Sequence, residues 1–459
     1  MNLSRPSRRR GSNPLRLVTL LLVAVIIAAA CGSSRKSSTT TSGGGGGSTT
    51  APSGKVIDTS ACPAGSDTVG VTGNTITIGT SLPESGLYAA FSAILKGEKS
   101  YFDYLNASGG VEVAGKKYQI KLVDKDDQYN ASQTVTNVQS LIDDTKVFAL
   151  FNVVGTKNNL AIRNTVNTRC VPDMLIASGA VQWGNTKYPW MLGSELVPYP
   201  LEMRAFVDYL KAKKPNATIA LLKAADDFGQ SYEEALKTMI AGTSLKILQT
   251  QSYDPEGSNV QSQVTSLAAT KADAFVIGAT LLACPAALNA EGAAGWHPIT
   301  YMSGTCVSKL LLGAGHQNSD KVISVTPLLD PADPNNASNP AMQLYMTNVK
   351  RYQPTADTAD GIVAYGWSTA ALFAEILHRS PALTRSAVME TARTLDGATG
   401  VGLQLSGSSW STSAKDWFLG EDFQLIQYSV SQGHTNPIGS LIDDSGKTAA
   451  LSPTSLLNG

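Results

Sequence analysis

The chain has 459 residues, with 36 Lys and Arg balanced by 36 Asp and Glu, 42% apolar residues and only 16% charged ones. So sparse and balanced a charge, with basic residues scattered and no basic stripe, excludes an electrostatic nucleic-acid binder. The apolar fraction is enough for real cores, and the length exceeds one ordinary domain and suits two.

The chain opens on a basic cluster (Arg5, Arg8, Arg9, Arg10, Arg16) and an apolar run over 17–30 that closes on Ala28, Ala29, Ala30 and Cys31. This is the layout of a bacterial export signal ending in a cysteine that takes a lipid. The run is shorter than the ~20 residues of a membrane span. An ordinary cleaved signal is the other reading, and the position of Cys31 directly after small residues favours lipidation. Residues 1–30 are therefore expected to be a lipoprotein signal peptide. The rest is expected outside the cytoplasm, lipid-anchored through Cys31 to the outer face of the cell membrane. Residues 32–55 (GSSRKSSTTTSGGGGGSTTAPSGK) cannot bury enough apolar surface to offset their ordering entropy. Residues 31–73 thus read as the lipidated cysteine and a flexible tether. No other apolar stretch is long enough to cross a bilayer.

The folded part is expected from Asn74. A short strand over 75–79 (TITIG) leads through SLPESG to a helix over 87–106. Its Leu87, Phe91, Leu95, Phe102 and Leu105 recur at helical spacing. Gly109 and Gly110, which accept a left-handed backbone, stop it. A strand over 118–123 ends in DKDD. A helix over 131–143, a strand over 146–151, a helix opening at Gly155-Thr156 and a strand over 173–176 follow. The rhythm then repeats: strand 218–222, helix 231–240, strand 245–250, helix 258–269, strand 274–278, helix 286–292, and short strands over 300–302 and 322–325. A helix over 360–378 and a strand over 423–430 must return to one half or the other. Such alternation means parallel sheets with helices on both faces. Two runs divided near Leu196 suggest two similar lobes.

Besides Cys31, the chain has Cys62, Cys170, Cys284 and Cys306. An even set outside the cytoplasm suggests two disulfides. Cys62–Cys170 with Cys284–Cys306 is the favoured pairing, because the last two follow neighbouring strands. Four buried free thiols are the alternative. Zinc is disfavoured, since CxxC is absent and His297, His316, His378 and His434 are dispersed.

In open parallel sheets ligands bind at the carboxyl ends of strands, where loops meet helix N-termini. That rule selects the loops 81–88, 152–156, 177–180, 225–229, 279–284 and 303–306. They are rich in Gly, Ser, Thr and Ala, which let a ligand approach backbone N–H groups and add hydroxyl donors. Any one such loop is more simply a turn; the shared position of six supports a site. GxSxG, GxxxxGK[ST], GxGxxG and HExxH are all absent. Asp126-Asp127 and Asp226-Asp227 follow strands and could pair as acid and base, but carboxylates there more often cap helices or stay solvated. No catalytic residue is assigned.

These residues resemble a known family. The segments ITIGTSLPESG, YLNASGGV with AGKKYQIKLVDKDDQYNASQTV, LIDDTKVFALFNVVGT, DMLIASGA, IALLKAADDFGQSYEEALK, DAFVIGAT and GIVAYGWSTAALFAEIL are similar to type I periplasmic binding proteins. The nearest branch is the one named for branched-chain amino-acid (Leu/Ile/Val) transport. The resemblance runs from about Asn74 to Val430. It implies an α/β fold of two flavodoxin-like lobes with parallel sheets, joined by a hinge of three crossovers. Lobe I would hold 74–196 plus 326–408, and lobe II 197–325 plus 409–459. It also implies a monomer that binds a small-molecule ligand, uses no cofactor or metal, and partners ABC permease and ATPase subunits. Less often, the family serves as a sensor coupled to a membrane signalling partner. An unrecognised extracytoplasmic hydrolase is the remaining, weaker reading.

Ser85 and Tyr88, on the first of the selected loops, are candidate ligand contacts; the remaining contacts follow from the resemblance. Gly155 and Thr156 bind a ligand carboxylate, and Ala177, Ser178 and Ala180 form a second anion-contacting loop. Phe228 covers the ligand where an aromatic, often Tyr, usually stands. Thr280 lies on the next loop, and Thr305 replaces a Glu that often pairs with a ligand ammonium. A buried ammonium without a partner costs several kcal/mol, so Glu84, Asp226 or Asp227 would have to compensate. Otherwise the ligand is a small carboxylate, an amide or a less polar molecule, with amino acids still open.

Overall fold

The computed structural model describes residues 55–257 and 259–458. The expected signal peptide, Cys31 and the Ser/Thr/Gly run up to residue 54 lie outside the described residues.

Strands β1 (Val71–Thr72), β2 (Thr75–Leu82), β3 (Val111–Val113), β4 (Lys116–Asp126), β5 (Ala149–Phe151), β6 (Asp173–Ile176) and β7 (Met191–Gly193) build a first sheet, ordered β3-β4-β2-β5-β6-β7 with β1 on β2. Helices α1 (Ser92–Ala107), α2 (Ala131–Asp143) and α3 (Thr156–Thr168) connect them. The pairs from β4 to β7 are parallel, and β1 and β3 add antiparallel edges. Position in the sheet follows composition. Central β5 (ALF) is buried throughout, whereas β4 (KKYQIKLVDKD), beside the edge strand β3, is mostly half-exposed. Asn130 caps α2, accepting from Ser132 N–H (2.9 Å) and Gln133 N–H (3.2 Å).

The second lobe begins with α4 (Tyr199–Lys213) and continues as β8 (Thr218–Ala224), α5 (Asp227–Ile240), β9 (Lys246–Tyr253), α6 (Gln261–Ala269), β10 (Ala274–Gly278), α7 (Ala283–Ala293), β11 (Ile299–Met302), α8 (Lys309–Ala314) and β12 (Ile323–Thr326). Helices α9 (Pro340–Tyr352), α10 (Gly361–Arg379) and α11 (Arg385–Arg393) follow, with α9 and α10 packing on α1. The chain then returns as β13 (Asp422–Ser429), β14 (His434–Pro437) and β15 (Ile442–Asp443). The second sheet runs β14-β13-β12-β11-β10-β8-β9, with β15 on β13. Its strands β9 to β12 are parallel; β13 runs antiparallel to β12, pairing Ser324 with Ile426. The two-lobed α/β fold expected from the sequence is therefore present.

Two expected boundaries shift. Residues 56–73, assigned to the tether, pack on the first lobe. Ile57 is 2% exposed, the Glu390 carboxylate accepts the N–H groups of Val56 and Ile57, and Asp67 accepts Ser386 N–H (2.7 Å) at the start of α11. An apolar residue and a disulfide cysteine in a polar stretch outweigh its low-complexity look. Residues 409–418, assigned to lobe II, also lie against the first lobe: Trp410 bridges to Ala398, and the Arg393 guanidinium stacks on Trp417.

Both favoured disulfides are present, Cys62–Cys170 (Cα–Cα 5.5 Å) and Cys284–Cys306 (6.5 Å). The second forms because β10 and β11 are adjacent parallel strands, so the segments after them emerge side by side. Among the described residues no helix is long and apolar enough to cross a membrane.

Candidate functional site

The loops after β2 and β4 are shaped by carboxylates. Asp126 accepts Glu84 N–H (2.9 Å), Gln128 N–H (3.0 Å) and the Ser85 hydroxyl. Asp127 accepts the hydroxyls of Ser81 (2.8 Å) and Thr134 (2.9 Å) and Tyr129 N–H (2.9 Å). Both carboxylates spend their lone pairs holding loops, which is the plainer of the two readings of this pair. Ser85 is exposed and tied to Asp126. Asp226 caps α5 through Gly229 N–H (3.1 Å); burial raises its pKa, while Gly229 N–H and the Lys157 ammonium of the first lobe oppose that.

After β5 the chain turns into α3 at Gly155, whose φ of 103° suits glycine. A Cβ there would lie 2.7 Å from the Tyr129 ring. Gly155 N–H donates to Ala177 O (3.3 Å), so the loops after β5 and β6 are stitched together. Directly beyond, the Thr156 and Ser178 hydroxyls meet at 2.8 Å, and Ser178 Oγ also accepts Ala180 N–H (3.2 Å). Tyr199 packs over this pair; burial holds its phenol far above the ordinary value, against the pull of the Ser178 and Thr156 hydroxyls. The predicted anion loops thus converge on one polar spot.

An aromatic assembly crosses from lobe to lobe. Tyr88 stacks on Tyr129 (4.2 Å) and donates its hydroxyl to Pro255 O in the second lobe (2.7 Å). Phe228 is buried edge-on against Tyr199 (5.3 Å) and beside Tyr232 (5.1 Å). Thr280 N–H donates to Tyr253 OH (3.3 Å). Tyr129, Tyr199 and Tyr253 were not among the predicted residues, although Tyr129 and Tyr253 follow or end strands and the strand-end rule applies to them too.

A cavity of about 100 Å³, lined by none of these aromatic residues, lies between the lobes. Of the predicted residues, Ala177 and Thr305 line it. Its other walls are mostly apolar, with Ile94, Val154, Val325 and Leu328 among them. Tyr365 adds a polar edge: its hydroxyl donates to Ser194 Oγ (2.9 Å) and accepts from Asn152 Nδ2 (2.8 Å). Behind Thr305 sits Glu202, from α4, an element absent from the sequence reading. Its Oε2 accepts from Tyr232 OH (2.6 Å), Tyr301 OH (2.6 Å) and Gly304 N–H (3.1 Å). Burial pushes its pKa up to about 7 against those bonds. By contrast, Glu84 lies among Asp124, Lys99 and Asp126, and Asp226 faces Lys157.

A model of the family described as periplasmic binding protein matches residues 75–429. Solved structures share the fold. A substrate-binding periplasmic protein from Ralstonia solanacearum superposes with a TM-score of 0.69 at 22% identity, over 80% of this chain and 100% of that one. A branched-chain amino acid ABC transporter protein from Thermus thermophilus, with bound valine, gives 0.72 at 15% identity, over 81% and 97%. A fatty acid ABC transporter substrate-binding protein from Thermomonospora curvata gives 0.67 at 18%, over 82% and 94%. The match covers well over half of the chain and falls on the two-lobed core just described, and the chain belongs to the periplasmic binding protein family, in its type I form.

Proposed function

We propose that this protein is the solute-capturing subunit of an ABC importer. It works outside the cytoplasm, tethered through a lipid on Cys31, and passes its solute to a permease with ATPase subunits. The observation that carries this reading is the cavity, lined by Val154 and Ala177 after first-lobe strands and by Gly304 and Thr305 after a second-lobe strand. A solute touching both walls stabilises the closed form by its differential affinity, and only that difference shifts the equilibrium. No bond-making step is needed. The hydroxyls of Thr156 and Ser178 are suited to an anionic or amide end, with Tyr88, Phe228 and Thr280 closing over it. The apolar walls suit the remainder of a small carboxylate, an amide or an apolar amino acid.

The test is native mass spectrometry of gently purified protein, with a thermal-shift screen of amino acids, amides and small acids. A bound solute is expected to raise the melting temperature by mass action, by about 2.7 kcal/mol of stability at a hundredfold excess over Kd. Absence of any bound mass together with no shift across the screen would refute the reading.

A further inference from the structure

The departure at Thr305 has a counterpart one layer deeper. Glu202 is 2% exposed and lies directly behind the cavity wall; a Cβ on Gly304 would come within 3.0 Å of its Oε1. Three donors converge on Oε2: Tyr232 OH, Tyr301 OH and Gly304 N–H. A backbone N–H can only donate, and an ionised carboxylate has no proton to give, so with Glu202 ionised all three bonds run into Oε2.

That fixes the direction of a chain of hydroxyls. Tyr232 spends its proton on Glu202, so its oxygen accepts from Ser303 Oγ at 2.7 Å. Ser303 has then spent its own proton, and its oxygen accepts both Thr305 N–H (3.2 Å) and the Thr305 hydroxyl (2.8 Å). Thr305 lines the cavity, and its remaining lone pairs are what it offers there. We propose that Glu202 is a specificity-determining positioning residue, which acts through Tyr232 and Ser303 to hold the Thr305 hydroxyl as an acceptor, so that the solute group seated against Thr305 carries an N–H or O–H donor. A neutral hydroxyl or amide donor satisfies this without the cost of burying an unpaired ammonium. The inference rests on the reading that the interlobe cavity takes the solute.

Three probes separate the possibilities: valine, α-hydroxyisovalerate and isovalerate, which differ only in carrying ammonium, hydroxyl or hydrogen on one carbon. On the unsubstituted protein α-hydroxyisovalerate is expected to bind about tenfold more tightly than isovalerate, the worth of one buried hydrogen bond. Tyr232→Phe should abolish that ratio. Tyr301→Phe removes an equally placed hydroxyl from Glu202 but is off the chain to Thr305, and should keep it. Glu202→Met should lose the ratio and Glu202→Gln, whose carbonyl oxygen can take the Oε2 place, should restore it. Equal binding of the three acids, or equal loss in Tyr232→Phe and Tyr301→Phe, overturns the inference. A ligand-free measurement decides it independently. The melting-temperature losses of Tyr232→Phe and Thr305→Val should be less than additive, since each breaks the same chain. Additive losses overturn it. If none of the acids binds, capture of small acids at this cavity fails as a reading, and the melting shifts still decide the chain.

Discussion

Thr156 and Ser178 show how much a single hydroxyl carries. They sit on different loops, and the stitching of those loops, Gly155 N–H to Ala177 O and Ala177 N–H to Val153 O, sets them 2.8 Å apart. Both are nearly fully buried, and each change to alanine removes only a few atoms. Thr156→Ala or Ser178→Ala is therefore expected to weaken solute binding about two- to tenfold, the range of one hydrogen bond, and to leave the empty protein folded. Binding titrations beside circular-dichroism melts check this; unchanged affinity in both variants would mean that the polar spot is not where the solute ends. Phe228, lacking a phenol, contributes area and ring contacts to Tyr199 and Tyr232 rather than a hydrogen bond.

Among the elements, α1 and α10 cross closely enough for their backbones to meet. A Cβ on Gly97 would stand 2.1 Å from Val363 O, and one on Gly366 would stand 2.0 Å from Ile94 O. Alanine in a helix gains about 1 kcal/mol over glycine from propensity. Here that gain meets backbone atoms that cannot yield without separating the helices, and overpacking costs about 1–3 kcal/mol or more. Gly97→Ala and Gly366→Ala are thus expected to be net destabilising, with a lower denaturation midpoint in urea. An unchanged or raised midpoint in either would contradict this packing. The same crossing places Tyr365 and Thr369 of α10 against Ser194 and Glu195, where the chain passes from the first lobe to the second.

At the scale of the whole molecule, burial has collected carboxyls that keep their protons. Burial raises Glu195 and Glu202 to about 7, and Asp173 and Glu291 to about 8, from ordinary carboxyl values. In the unfolded chain these groups ionise near pH 4. Between that pH and their folded values the native state binds more protons than the unfolded state, so stability falls as pH rises. Asp273, lowered to about 2 chiefly by its bond from Lys214, works the other way, but loses its contribution only as pH falls from about 4 towards 2. The melting temperature is therefore expected to be highest near pH 4 and to drop several degrees by pH 8. A scan by differential fluorimetry that rises over that window would show that these carboxyls are ionised in the fold.

Periodicity and punctuation in the chain were enough to read α2 at its exact bounds, the strands β6 and β10, the glycine stop after α1 and the pair of repeating α/β runs, because each is dictated by local spacing and backbone chemistry. The strand-end rule selected the loops 152–156, 177–180 and 303–306 without assigning a role to any residue in them, and neighbouring strands located the Cys284–Cys306 bond. The helix α4 was not legible: it opens on Pro198-Tyr199-Pro200, and its buried face is wide enough to blur the apolar stripe. Glu202 was lost with it. The antiparallel return of β13, the docking of Ile57 on the first lobe, and the contacts of Trp410 and Trp417 were also invisible, since each depends on partners more than a hundred residues away or on a loop without periodicity. The sequence by itself determined which segments become strands and helices and which strand ends could meet a solute. Only the tertiary structure decided which of those ends line one cavity and which buried carboxylate stands behind it, because hydrogen-bond direction and burial are properties of neighbours in space and not of neighbours in the chain.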